Sequence, residues 1–147
     1  MSRAAQKCLK GLSVKPLPSS ILTDYIGPPD KESNLRPYVR CIPNNETSLQ
    51  KRLRENRNLV EQWNQDFWSR HNKRFYEEKT TFLKSNGDPE KNFEVSADKM
   101  SEFYKDFLDK NHKIHFLYNI SWYLKNFELL CLAGQVNVHN LWLKLKR

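Results

Sequence analysis

Residues 111–147 read NHKIHFLYNISWYLKNFELLCLAGQVNVHNLWLKLKR, and at helical spacing they carry two apolar stripes. One is Phe116, Ile120, Tyr123, Phe127, Leu130, Gly134, Val138, Leu141 and Leu145; the other is Tyr118, Trp122, Leu129, Leu132, Val136 and Leu143. Steps of three and four residues keep each set on one side of a helix. A surface helix needs one such stripe, so a helix with two requires two covers, supplied by the same chain or by one chain element and a partner. The rest of the sequence is therefore read as a search for those covers.

Moving upstream, Ser96 can cap a helix with Asp98 in its first turn, and Met100, Phe103, Tyr104, Phe107 and Leu108 give it one apolar face. Asn111 then reads as the N-cap of a separate last helix, which makes residues 97–109 a short helix able to fold back over one stripe. Residues 84–95 form a loop by composition. Before it, Thr47-Ser48-Leu49-Gln50 is a capping box, and neither Gly nor Pro follows until Gly87. The helix that starts there presents Leu49, Leu53, Val60, Trp63, Phe67 and Phe75, with His71 in the same row. These features predict an all-α fold, an elongated helical hairpin or three-helix arrangement with helices near 47–83, 97–109 and 112–146. The long helix covers the other stripe.

Residues 24–45 hold Pro28, Pro29, Pro37 and Pro43. Prolines forbid a helix here and favour an extended, turn-rich arm that loses little entropy on ordering. Such an arm either docks a partner, through Tyr25, Ile26, Leu35 and Arg36, or lies on its own core. Trp68 beside the apolar row can anchor a partner or be covered by a second helix. Residues 1–23 contain Arg3, Lys7, Lys10 and Lys15 and no acid; this is the composition of a mitochondrial presequence that is removed on import.

The formal charge of +8 in 147 residues is concentrated in that segment. Subtracting its four cations from 25 Lys and Arg leaves 21 against 17 acids, only +4 over the remaining residues. Lys51, Arg52, Arg54 and Arg57 crowd the start of the long helix, where the macrodipole disfavours cations. They are a solvated face or a site for an anionic surface, phospholipid or RNA. With 4 glycines, never clustered, the chain has no phosphate-cradling loop. Cys8, Cys41 and Cys131 form no CxxC pair, so a zinc ribbon or disulfide framework is unsupported, and Cys131 reads as a core thiol. No stretch of about 18 uninterrupted apolar residues marks a membrane span. His112 and His115 stand at i, i+3 without a third ligand. No nucleophile–base set can be assembled. The residues therefore predict a non-enzyme with no catalytic, cofactor-binding or metal-binding residues.

The stretch Tyr25-Ile26-Gly27-Pro28-Pro29-Asp30-Lys31, followed by Ser33-Asn34-Leu35-Arg36-Pro37, resembles the opening signature of the mitochondrial apoptogenic-protein-one family, also called cytochrome c oxidase assembly factor eight. Similarity continues through Glu61-Gln62-Trp63-Asn64, Phe67-Trp68, residues 102–108, Trp122-Tyr123, Asn126-Phe127, Gly134, Val136, Trp142 and Lys144-Leu145. The resemblance implies a matrix-side protein, peripheral to the inner membrane, that supports cytochrome c oxidase assembly and is linked to oxidative-stress handling and apoptosis. It brings no catalytic set. The partner is then an oxidase subunit or assembly intermediate, with possible inner-membrane surface contact, met by Tyr25, Ile26, Gly27, Pro28, Pro29, Asp30, Asn34, Leu35, Arg36, Pro37, Trp68, Tyr118 and Trp122. Two alternatives compete: an organellar RNA- or ribosome-binding protein using Lys51, Arg52, Arg54 and Arg57, and a haem or copper carrier using His112 and His115.

Overall fold

The computed structural model describes residues 16–87 and 95–146. Most of the expected presequence lies outside the described residues, as does most of the 84–95 loop. Two helices dominate: α1, Ser48–Asn86, and α2, Ala97–Leu145. At ~1.5 Å per residue they are about 58 and 73 Å long, forming an elongated hairpin. The capping box is present: Thr47 Oγ1 accepts from Gln50 N–H at 3.2 Å, and Gln50 Oε1 accepts from Thr47 N–H at 2.8 Å. Ser96 caps α2 through the Lys99 amide.

The three-helix alternative is corrected. Residues 97–109 and 112–146 belong to one continuous α2, and Asn111 is a buried mid-helix residue. Its side-chain amide donates to the Phe107 carbonyl one turn back, 2.8 Å away. With that donor satisfied internally, nothing breaks the helix, and neither Gly nor Pro stands between Ala97 and Ala133. The consequence is topological. The expected short helix is collinear with the last one and cannot fold back over it, so among the described residues α1 is the sole long helix that covers α2.

The two helices run antiparallel. Leu53, Leu132 and Val136, with Leu49, Leu129 and Ala133, close the open end of the hairpin. Phe75, Phe82, Phe103 and Phe107 fill the end near the connection, with ring centroids 5.0–6.3 Å apart. The middle is aromatic. Tyr118 stacks on Phe67 at 4.1 Å and on Trp63 at 5.2 Å, and its hydroxyl accepts from Trp68 Nε1–H at 2.8 Å while donating to Asn64 Oδ1.

The all-α expectation needs one amendment, because the extended, turn-rich arm pairs with itself in a short hairpin that lies on α1. A two-residue antiparallel ladder joins β1, Tyr25–Ile26, to β2, Tyr38–Val39, in the register Tyr25 with Val39 and Ile26 with Tyr38. Asp30 organises the turn: Oδ1 accepts from the Glu32 and Ser33 amides, both at 3.0 Å. Asn34 closes it in the left-handed region at φ 60°, which Asn tolerates. Gly27 is required by close approach. An added Cβ would lie 2.9 Å from Pro37 Cγ, while Gly27 N–H already bonds the Pro37 carbonyl at 2.9 Å. Gly27→Ala should loosen the arm by about 1–2 kcal/mol. Amide exchange of the arm should speed up while the helical circular dichroism stays unchanged.

Candidate docking surface

α1 is covered on two sides. On one, α2 packs along its aromatic row. On the other, the arm is held by polar contacts to Asn58, Glu61, Gln65 and Asn72, which recur along one face of α1. Glu61 accepts from the Tyr38 amide and pairs with Arg40 at 2.6 Å. Arg40 also donates to Asn58 at 2.8 Å, Ser33 Oγ donates to Gln65 Oε1, and Asn72 donates to the Glu32 carbonyl at 2.8 Å.

α2 is covered on one side. Its Tyr118-to-Leu143 stripe faces α1, with Leu132 and Val136 buried. The other stripe faces outward, and Phe116, Tyr123, Phe127, Leu130, Val138, Leu141 and Leu145 are 58–78% exposed. Leu117, Leu124 and Trp142 extend the same arc and are exposed too. The polarity of this outer face switches along the helix. Before the switch it carries exposed Glu102, Lys105, Asp106, Asp109 and Lys113; from Phe116 to Leu143 the only exposed charged residue is Glu128, at its edge. Contiguous apolar patches of more than a few hundred Å² are uncommon on monomers, which makes this face the candidate docking surface. Cys131 lies in the middle of the arc and is exposed. The expected core thiol is thereby corrected, and the reason is the missing second helical cover.

The residues singled out from the sequence are distributed as follows. Trp68 and Tyr118 are engaged in the α1–α2 seam and to each other. Trp122 is 38% exposed at the seam's edge, its ring against Tyr123. In the arm, Gly27 is buried, and Leu35 and Pro37 are half-buried. Asp30 and Asn34 form the turn, and Arg36 reaches back to the Gly27 carbonyl at 3.3 Å. Tyr25, Ile26, Pro28 and Pro29 are exposed. The four cations do not form one free patch. Arg54 makes a two-pronged contact with Glu46 at 2.8 and 2.9 Å, which holds the Glu46 carboxyl below its ordinary range, and Lys51 lies 3.8 Å from Glu55. Arg52 and Arg57 remain exposed. The outer arc is legible as a stripe that needs a cover, from the chain or from a partner, but its residues do not figure among the partner-binding residues read from the sequence.

His115 faces His71 across the seam, Nε2 to Nε2 at 3.2 Å. Nδ1 of His71 is buried without a hydrogen-bond partner. A bare acceptor there is cheaper than an orphaned N–H, which assigns the proton of His71 to Nε2 and makes His115 the acceptor. Burial, then His115 and Arg74, lowers the pKa of His71; burial, then Arg74 and His112, lowers that of His115. Both groups bind protons more readily in the unfolded chain. Stability is therefore full above the ordinary histidine value near 6.5 and declines as the pH falls below it. The melting temperature should drop between pH 7.5 and 5.5, and the slope should flatten in His71→Gln. Among the described residues no three His, Cys, Asp or Glu side chains are arranged to hold a metal, and no helix is long and apolar enough to cross a membrane.

A family model described as cytochrome c oxidase assembly factor 8 matches residues 23–142. A mitochondrial COA8 family protein of Drosophila melanogaster is 55% identical over 142 residues, which span 97% of this chain and 80% of the relative. Cytochrome c oxidase assembly factor 8 of Rattus norvegicus is 42% identical over 133 residues, 84% of this chain and 69% of that protein. A mitochondrial COA8 family protein of Caenorhabditis elegans is 39% identical over 116 residues, 78% and 82% of the two chains. No solved structure matches.

Proposed function

This chain belongs to the cytochrome c oxidase assembly factor 8 family, and from that premise we propose that it acts in oxidase assembly by docking rather than by catalysis. The outer arc of α2 grips an apolar helix of an oxidase subunit or assembly intermediate at the matrix face of the inner membrane. The observation that carries this reading is the exposed arc from Phe116 to Leu145 on a helix whose opposite side packs on α1. Burying it against an apolar partner yields roughly 25 cal/mol per Å², and its near-total lack of charge removes the desolvation cost that a polar helix face would carry. The arm, anchored on α1, stiffens the hairpin from the far side and keeps Tyr25 and Ile26 at the surface as a secondary contact. Links to oxidative stress and apoptosis follow, on this reading, from oxidase intermediates left unassembled when the grip fails.

Affinity purification of the tagged full chain from intact mitochondria tests this. Oxidase subunits are expected in the eluate, retained through a high-salt wash because the contact is apolar. Recovery of ribosomal RNA without oxidase subunits, released steeply by salt as phosphate contacts are, would overturn it.

A further inference from the structure

We propose that, when no client is bound, the outer arc of α2 is covered by the same arc of a second copy of this chain, packed antiparallel about a two-fold axis near Cys131. The inference rests on the reading of the arc as a docking surface and names what occupies it in the free protein.

Three features of the arc favour a second copy. The first is area. The exposed side chains from Phe116 to Leu145 present on the order of 1,000 Å², against the ~800 Å² that each partner contributes to a standard interface. The second is shape. Bulky residues, Phe116, Tyr123 and Phe127 on one side and Leu141, Trp142 and Leu145 on the other, flank a centre where Leu130 stands beside two small residues, Cys131 and Gly134. At Gly134 an added Cβ would meet nothing within 4 Å in the single chain, so the helix surface is open there to a close approach. Antiparallel pairing sets Phe127 of one copy over the gap between Gly134 and Val138 of the other, in the manner of a knob entering a hole. The third is the polar border. An antiparallel register that places Asn126 opposite Asn137 also places Glu128, the edge carboxylate, opposite the Gln135 amide. A two-fold axis lying in the interface makes each border meet itself, so the one acid at the edge gains a neutral donor instead of a like charge. Antiparallel helices also oppose their macrodipoles.

Sedimentation equilibrium of the purified full chain measures the outcome directly. The expected mass is twice the 17.6 kDa of the single chain. Gly134→Leu fills the close-approach point without touching α1, so it should weaken the dimer at least tenfold while leaving the helical signal intact and lowering the melting temperature only through the lost dimer. A short bis-maleimide should link two copies through Cys131, and Cys131→Ser should abolish that product. A monomer at 100 µM, a mixture of higher aggregates, or a dimer indifferent to Gly134→Leu would each overturn the proposal. A monomeric chain that still captures oxidase subunits would remove the dimer and keep the docking role; a dimer that captures none would do the reverse.

Discussion

Phe107→Ala is expected to cost about 3–5 kcal/mol, which is most of what a small fold possesses. Phe107 is 4% exposed, the most buried of the core apolar residues described. Its ring lies 5.1 Å from Phe75, 5.4 Å from His71 and 6.3 Å from Phe103. The buried apolar set among the described residues is otherwise only Leu53, Phe103, Leu132 and Val136. A hairpin two helices thick has no deeper layer to absorb the cavity. Phe116→Ala removes the same side chain from the outer arc, where it is 58% exposed, and should cost no more than about 0.5 kcal/mol. Urea denaturation of both variants, followed by helical circular dichroism, checks the pair. Equal losses at the two positions would mean that the seam does not lie where α1 and α2 meet here.

Replacing both Phe127 and Leu130 with Glu should have the opposite profile. The two side chains are 64% and 69% exposed in the single chain, so the helical signal should be unchanged, the melting temperature should fall only by what loss of the dimer removes, and solubility should rise. Docking should fail, because a partner that covers these positions would then desolvate two carboxylates with no cation opposite, a penalty of several kcal/mol. At 1.4 kcal/mol per decade this amounts to at least a hundredfold loss of affinity. Affinity purification from mitochondria, scored by the oxidase subunits recovered, measures it. Wild-type recovery by the double variant would remove the arc from the docking role; loss of the helical signal would show that the arc is core.

The sequence disclosed what depends on near neighbours. Thr47 and Gln50 lie three residues apart, so the start of α1 could be read directly. The two stripes of α2 follow from helical periodicity alone. What failed was a choice between two local chemistries of one residue. Asn111 can cap a helix or satisfy itself on the carbonyl one turn back, and burial beside Phe107 selects the second. That choice produced a folded-back helix over one stripe and left Cys131 in the core, although the surplus apolar circumference of the last helix already called for a second cover. Contacts set by hairpin register were also beyond reach. Nothing in the chain announces that His71 will meet His115, or that Glu61 and Gln65 will hold the arm from 21 to 32 positions away. The arm's turn chemistry, by contrast, was present in its Asp and Pro residues, although its ladder was too short to signal itself.

The docking claim is tested most directly by photo-crosslinking within mitochondria, with a benzophenone amino acid placed once at position 127 and once at Asp109, an exposed acid on the charged part of the same helix face. The account predicts cross-links to an oxidase subunit from position 127 and none above background from position 109. Equal yields at the two positions, or silence at 127 while oxidase subunits still co-purify, would contradict it.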